Sequence, residues 1–146
     1  MRRNISRLLF ILAAVAIIPA CSDSTSPDRA VAGNYTLISV NGVLLPVVFS
    51  VEQLFTLRIT AGTLTLNSTN TFTATVTYEQ TLAIGGVKTT DTQTCTGTYA
   101  VSANTITFTE ANSNNANCGG VYTGTWDGKD SLTVDFDAEV QALFEK

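Results

Sequence analysis

The chain has 146 residues, a length that suits one domain, with 12 acidic and 8 basic side chains, no histidine and a formal net charge of −4. The absence of histidine removes the usual general base near neutral pH, the commonest metal ligand and the Ser-His or Cys-His nucleophile pairs. Setting aside the three cations Arg2, Arg3 and Arg7 takes the charge from −4 to −7, and so acidic a remainder is a poor partner for nucleic acid or for the surface of anionic lipid.

Residues 1–20 fall into three zones. Arg2, Arg3 and Arg7 make a positive start, Leu8 to Ile18 is an unbroken apolar run, and Ile18-Pro19-Ala20 leads into Cys21. A positive region, a short apolar region and a small residue before a cleavage point describe a secretory signal, and the apolar run falls short of the roughly 20 residues of a membrane span. Ile18-Pro19-Ala20-Cys21 resembles the lipobox of bacterial lipoproteins. The resemblance implies cleavage before Cys21, lipid on its thiol and attachment to a membrane through that lipid. Two or three acyl chains anchor stably where one is marginal. Ser22 follows the cysteine where an aspartate would signal inner-membrane retention in enterobacterial lipoproteins, so the resemblance favours the outer membrane of a bacterial envelope. Residues 21–32 then read as the lipidated cysteine and a polar, flexible tether.

From Gly33 to residue 146 the period is two, with threonine recurring at every second position in several stretches. A β-branched side chain packs well on a pleated surface, so this bias favours strands. Tyr35, Leu37 and Ser39 alternate with Thr36 and Ile38 up to an Asn41-Gly42 turn. The segment from Leu44 to Val48 contains Pro46 and suits a sheet edge or loop. Phe55, Leu57 and Ile59 form one short strand, Ala61-Gly62 reads as a turn, and Leu64 and Leu66 form the next. After Asn67 to Asn70, a further turn, Phe72, Ala74, Val76 and Tyr78 oppose four threonines in the clearest half-buried strand of the chain. Gly85-Gly86 turns the chain again. Cys95, Gly97, Tyr99 and Val101 share the next face, followed by Ile106 and Phe108, an asparagine-rich loop from Glu110 to Gly120, then Tyr122, Gly124 and Trp126. A turn at 127–130 leads to Leu132, Val134 and Phe136, Ala142 to Phe144 form a last short strand, and Asp137 to Phe144 is the one place for a helical turn. Eight or nine short strands with tight turns predict an all-β, antiparallel up-and-down meander. It closes into a small barrel of about eight strands, with a two-sheet sandwich as the alternative.

The opening Gly33-Asn34-Tyr35-Thr36-Leu37-Ile38-Ser39-Val40-Asn41-Gly42, with Leu45-Pro46 after it, resembles small bacterial lipocalin-like domains. Gly-x-Tyr stands where lipocalins carry Gly-x-Trp. The units Gly62 to Asn67, Gly97-Thr98-Tyr99 and Ile106-Thr107-Phe108 fit the same meander, and the likeness spans most of residues 33–146. It implies a barrel of the kind that binds small apolar molecules. It also implies an arginine packed over the first-strand aromatic, Tyr35, at the closed end. Arg58 is a candidate, although its alternation with Leu57 and Ile59 turns it to solvent.

With Cys21 assigned to lipid, Cys95 and Cys118 remain as an even pair in an exported domain and are expected to form a disulfide. A turn near Ser102-Ala103 sets Cys95 opposite about Glu110, at the end of the sheet where Cys118 closes the asparagine-rich loop. Asp127 and Asp130 sit in a glycine-containing turn, where aspartate favours local hydrogen bonds, and no calcium-loop spacing is present, so neither metal nor cofactor is expected. No nucleophile–base or acid–base constellation is visible, which predicts a protein without catalytic activity. The aromatic residues Tyr35, Tyr78, Tyr99, Phe108, Tyr122 and Trp126 are the candidate border of a ligand cleft, although such residues more often fill a core. The expectation is a mostly filled interior with at most a small apolar cleft near Trp126 and Tyr99 beside the small residues Ala74, Gly97 and Gly124. The first expectation for function is a structural or protein-interaction module of the envelope, working on an envelope protein. The second is binding of a small, uncharged apolar ligand inside the barrel.

Overall fold

The computed structural model describes residues 30–111, 118–136 and 138–146, so the signal at 1–20, Cys21 and the tether up to Arg29 lie outside the described residues. Ten strands follow in chain order: β1 (Gly33–Val40), β2 (Val43–Leu44), β3 (Val47–Val51), β4 (Phe55–Leu66), β5 (Thr71–Leu82), β6 (Lys88–Ser102), β7 (Thr105–Glu110), β8 (Val121–Trp126), β9 (Ser131–Asp135) and β10 (Gln141–Glu145). Among the described residues helical backbone is confined to Ala30 and Val31. Consecutive strands from β3 to β10 pair antiparallel, β10 returns to β1, and β1 pairs with β4. The result is the expected closed antiparallel barrel of eight strands, β1 and β4–β10, with β2 and β3 as two additional strands.

The seam between β1 and β4 gives the barrel two unlike ends. Gly33–Thr36 of β1 pairs with Thr63–Leu66 of β4 and closes one end. Further along, Ser39 and Val40 pair instead with β2, while the first half of β4 pairs with β3, so the two strands part and the other end stays open. β5 and β6 run 12 and 15 residues, far beyond the reach of β7, and overhang the open end together with β3 and the first half of β4. The strands expected to be short thus include two of 12 and 15 residues.

Local chemistry accounts for most of the turns. Asn41 and Gly42 both take positive φ, 51° and 75°, as a two-residue hairpin requires. Asp127 Oδ1 accepts from the backbone N–H groups of Lys129 and Ser131 at 2.8 and 3.0 Å and closes the β8–β9 turn. The N–H of Ser131, then that of Lys129, hold its carboxyl below the usual aspartate range. Ala61-Gly62, expected as a turn, lies inside β4 instead, next to an irregularity in register between Ile59 and Ala61. A Cβ on Gly62 would lie 2.9 Å from Leu37 Cδ2, so the glycine lets β4 bend over the first strand.

The closed half is a packed core. Tyr35, Leu64, Leu66, Phe72, Tyr99, Ile106, Phe108, Trp126 and Leu132 are all buried, as the alternation predicts. Val31 is fully buried as well, and Tyr35 donates its hydroxyl proton to the Val31 carbonyl at 2.6 Å. Residues expected at the end of the tether thus belong to the barrel's base. Arg58 is exposed on β4, and the cation over the Tyr35 ring is Lys146, with Nζ 5.0 Å from the ring centre. Phe136, expected on the buried face, is 39% exposed at the rim of the open end.

Candidate functional site

The disulfide between Cys95 and Cys118 is present, with the two Cα atoms 5.6 Å apart. Its register differs from the expectation by two positions, because Glu110 faces Gly97 on β6 rather than Cys95. The bond ties the loop after β7 to the overhanging part of β6, whose outer edge has no neighbouring strand there among the described residues. Glu110 fastens the same loop from within: it accepts from the Gly119 N–H and from the Tyr122 hydroxyl. Reducing the bond is expected to lower stability by about 3 kcal/mol, the loop-closure contribution for a separation of 23 residues. Denaturant titration with and without a thiol reductant measures this, and an unchanged midpoint would refute it.

A cavity of about 580 Å³ occupies the open half of the barrel. Leu37, Leu57, Ile59 and Phe144 form its inner wall, Ala74, Val76 and Tyr78 of β5 with Asp91, Gln93 and Cys95 of β6 form the overhang, and Phe49, Phe136 and Val140 stand around the mouth. Most of this surface is apolar, and its polar groups are few: the Asp91 and Glu110 carboxylates, the Gln93 amide, the Tyr78 hydroxyl and Thr63. A volume of this order with a few convergent polar groups is the usual form of a small-molecule site.

Of the six aromatic residues expected to border a cleft, only Tyr78 lines this cavity. The other five fill the closed half. Tyr99 donates to the Asn67 carbonyl at 2.7 Å, and Trp126 Nε1 donates to the Lys129 carbonyl at 3.2 Å. Phe72, Phe108 and Tyr122 form a ring cluster with centroids 5.2–6.3 Å apart. The cavity thus lies away from Trp126 and Tyr99, the region expected to hold any cleft. Asp91 and Gln93 had no place in the sequence reading, yet a signal for them existed. The period of two running back from Cys95 puts Gln93 and Asp91 on the same face of β6. A symmetric turn at Gly85-Gly86 would set Tyr78 opposite Gln93, whereas the loop 83–87 shifts the register and sets Tyr78 opposite Asp91 and Val76 opposite Gln93.

Burial governs the tyrosines. Desolvation, followed by the neighbouring Tyr99, Asp127 and Asp130, pushes the Tyr35 phenol up to about 12, and burial also raises Tyr78. Tyr122 rises through burial and the adjacent Glu110 carboxylate. The unfolded chain releases the Tyr35 proton near pH 10, whereas the folded chain keeps it until about 12. The stabilisation from this group is therefore complete below pH 10 and is lost as pH rises from 10 to 12, by about 2 kcal/mol. Melting temperatures between pH 8 and 12 are expected to fall above pH 10, and Tyr35→Phe is expected to flatten part of that fall. An equally steep fall in the variant would assign it elsewhere.

Asp127 and Asp130 are used in the β8–β9 turn, and among the described residues no group of three His, Cys, Asp or Glu side chains is placed to hold a metal ion. No known protein family, curated protein or solved structure matches the chain.

Proposed function

We propose that this chain is a lipid-anchored protein of a bacterial envelope whose barrel binds a small, mainly apolar molecule in its open half, without catalysis. One observation carries the binding role: the apolar cavity of about 580 Å³ that opens between β1 and β4 under the β5–β6 overhang. The anchor rests on the sequence, through the apolar run, the lipobox-like Ile18 to Cys21 and the polar residues after it. The chain enters the barrel at Val31 and Gly33 on the closed end, and the cavity opens at the opposite end. The alternative, a module that works through its outer surface on another envelope protein, draws support from the exposed Val51, Leu54, Ile84 and Val87 near the tips of the overhang.

The full chain carrying Cys21→Ser, exported but free of lipid, is titrated with the neutral apolar dye N-phenyl-1-naphthylamine. One saturable site is expected, and Val76→Trp, which fills the cavity wall, is expected to weaken it at least ten-fold while the protein still melts cooperatively. Dye binding that is absent, or insensitive to Val76→Trp, would overturn the binding role and leave the outer surface as the working part. Retention of fatty-acid label by the Cys21→Ser chain would overturn the anchor.

A further inference from the structure

The cavity holds its few charges in one sign. Between residues 33 and 146 the sequence has four cations, Arg58, Lys88, Lys129 and Lys146. None of them lines the cavity. Arg58 is exposed on β4, and Lys88 pairs with Glu79 at 3.0 Å on the outward face of the overhang. Lys129 lies in the β8–β9 turn at the closed end, and Lys146 covers Tyr35 there. Asp91 and Glu110, by contrast, both border the cavity. Glu110 is engaged by Gly119 and Tyr122 and contributes its charge from a fixed position. Asp91 Oδ1 accepts from the Thr92 N–H at 2.8 Å, and its other oxygen has no partner among the described residues. Asp91 and Tyr78 are direct cross-strand partners on β6 and β5, and both side chains border the cavity. Directly opposed residues on one face of a sheet are within side-chain reach, so a carboxylate and an aromatic ring stand next to each other at the wet end of an apolar chamber.

On the reading that the cavity is a binding site, we infer that it selects a positively charged amphiphile, an alkyl- or arylammonium, with its apolar body between β1, β4 and β5 and its cationic head between Asp91 and Tyr78. A carboxylate and a ring face each attract an ammonium group. An anionic amphiphile such as a fatty acid would bring a third negative charge into a chamber with no cation to meet it, at the cost of desolvating that charge.

The Cys21→Ser full chain is titrated calorimetrically at neutral pH with three ten-carbon probes kept below micelle formation: decyltrimethylammonium, decanol and decanoate. The ammonium probe is expected to bind about five- to ten-fold more tightly than decanol, the range open to a partly exposed ion pair plus one ring contact. Decanoate is expected to bind more weakly than decanol. Asp91→Asn is expected to bring the ammonium-to-decanol ratio to within about two-fold, as is raising the salt from 0.02 to 0.5 M, which screens the charges. Equal binding of all three probes, tighter binding of decanoate, or a ratio unchanged in Asp91→Asn would overturn the charge selection and leave the binding role standing. Failure of all three to bind would remove the binding role and the selection with it.

Discussion

Replacing Phe108 by alanine is expected to destabilise the protein by about 3–5 kcal/mol, among the largest effects of any single core truncation here. Phe108 is fully buried on β7, where its ring stacks on Tyr122 with centroids 5.2 Å apart and meets Phe72 edge to face at 5.3 Å. Tyr99 lies 6.5 Å away on its other side. The cost has two parts: the transfer energy of a benzyl group and the void left among side chains that have no room to collapse. Phe72 is held between β4 and β6, and Tyr122 is fixed by its hydrogen bond to Glu110, so neither can move far into the space. A urea titration monitored by circular dichroism gives the number. The midpoint should drop with little change in slope, since the surface exposed on unfolding is nearly the same. A loss below about 1 kcal/mol would mean that the closed half is loosely packed, contrary to the ring contacts of Phe108.

Gly97→Ala is the second large effect, expected at about 3 kcal/mol from the addition of one methyl group. On β6 a Cβ at this position would stand 2.2 Å from the Thr109 carbonyl oxygen, 2.7 Å from Phe72 Cε1 and 2.8 Å from Glu110 Cα. Two of these three are backbone atoms of the paired strand β7, and a side-chain rotation cannot relieve them. β6 and β7 must separate, which weakens the ladder beside the disulfide, and the Phe72 ring must shift from its contact with Phe108 as well. Gly120→Ala is the matched control, since a Cβ there meets nothing within 4 Å, and it should stay within about 0.5 kcal/mol of the parent. Comparable losses in both variants would refute crowding at Gly97 as the cause, since the entropic effect of Gly→Ala on the unfolded chain is stabilising.

Gly97 also shows where sequence reasoning stops. With Gly124 it reads as a small residue that leaves space beside the large ones, a place for a cleft. The structure reverses this, because the missing side chain is room already filled by Phe72 and by the backbone of β7. A glycine in a strand marks a close approach as readily as a vacancy, and the two are separated only by what lies across the sheet. Gly62 carries the same ambiguity. Ala61-Gly62 has turn chemistry, yet β4 runs through it because Leu37 of the first strand packs against the bare Cα side.

By itself the sequence determined the class of fold, the inward face of nearly every barrel strand, most of the turns and the pairing of Cys95 with Cys118. These follow from local rules. A pleated strand sends alternate side chains to opposite faces, so Phe72, Tyr99, Phe108, Tyr122 and Leu132 declare their burial within a few residues of context. Asn41-Gly42 and Asp127-Gly128 likewise carry their turn geometry in their own φ preferences and hydrogen bonds. What only the tertiary structure decided is where the interior stays open. That depends on β1 leaving β4 after Thr36 to pair with β2, and on β5 and β6 continuing past the end of β7. The first sets the distant β1–β4 pairing against the local hairpins β1–β2 and β3–β4, and the second depends on how far β7 reaches along β6, neither of which the alternation within one strand reveals. Together they moved the cavity from Trp126 and Tyr99 to Tyr78, Asp91 and Gln93, and so decided which side chains a ligand would meet.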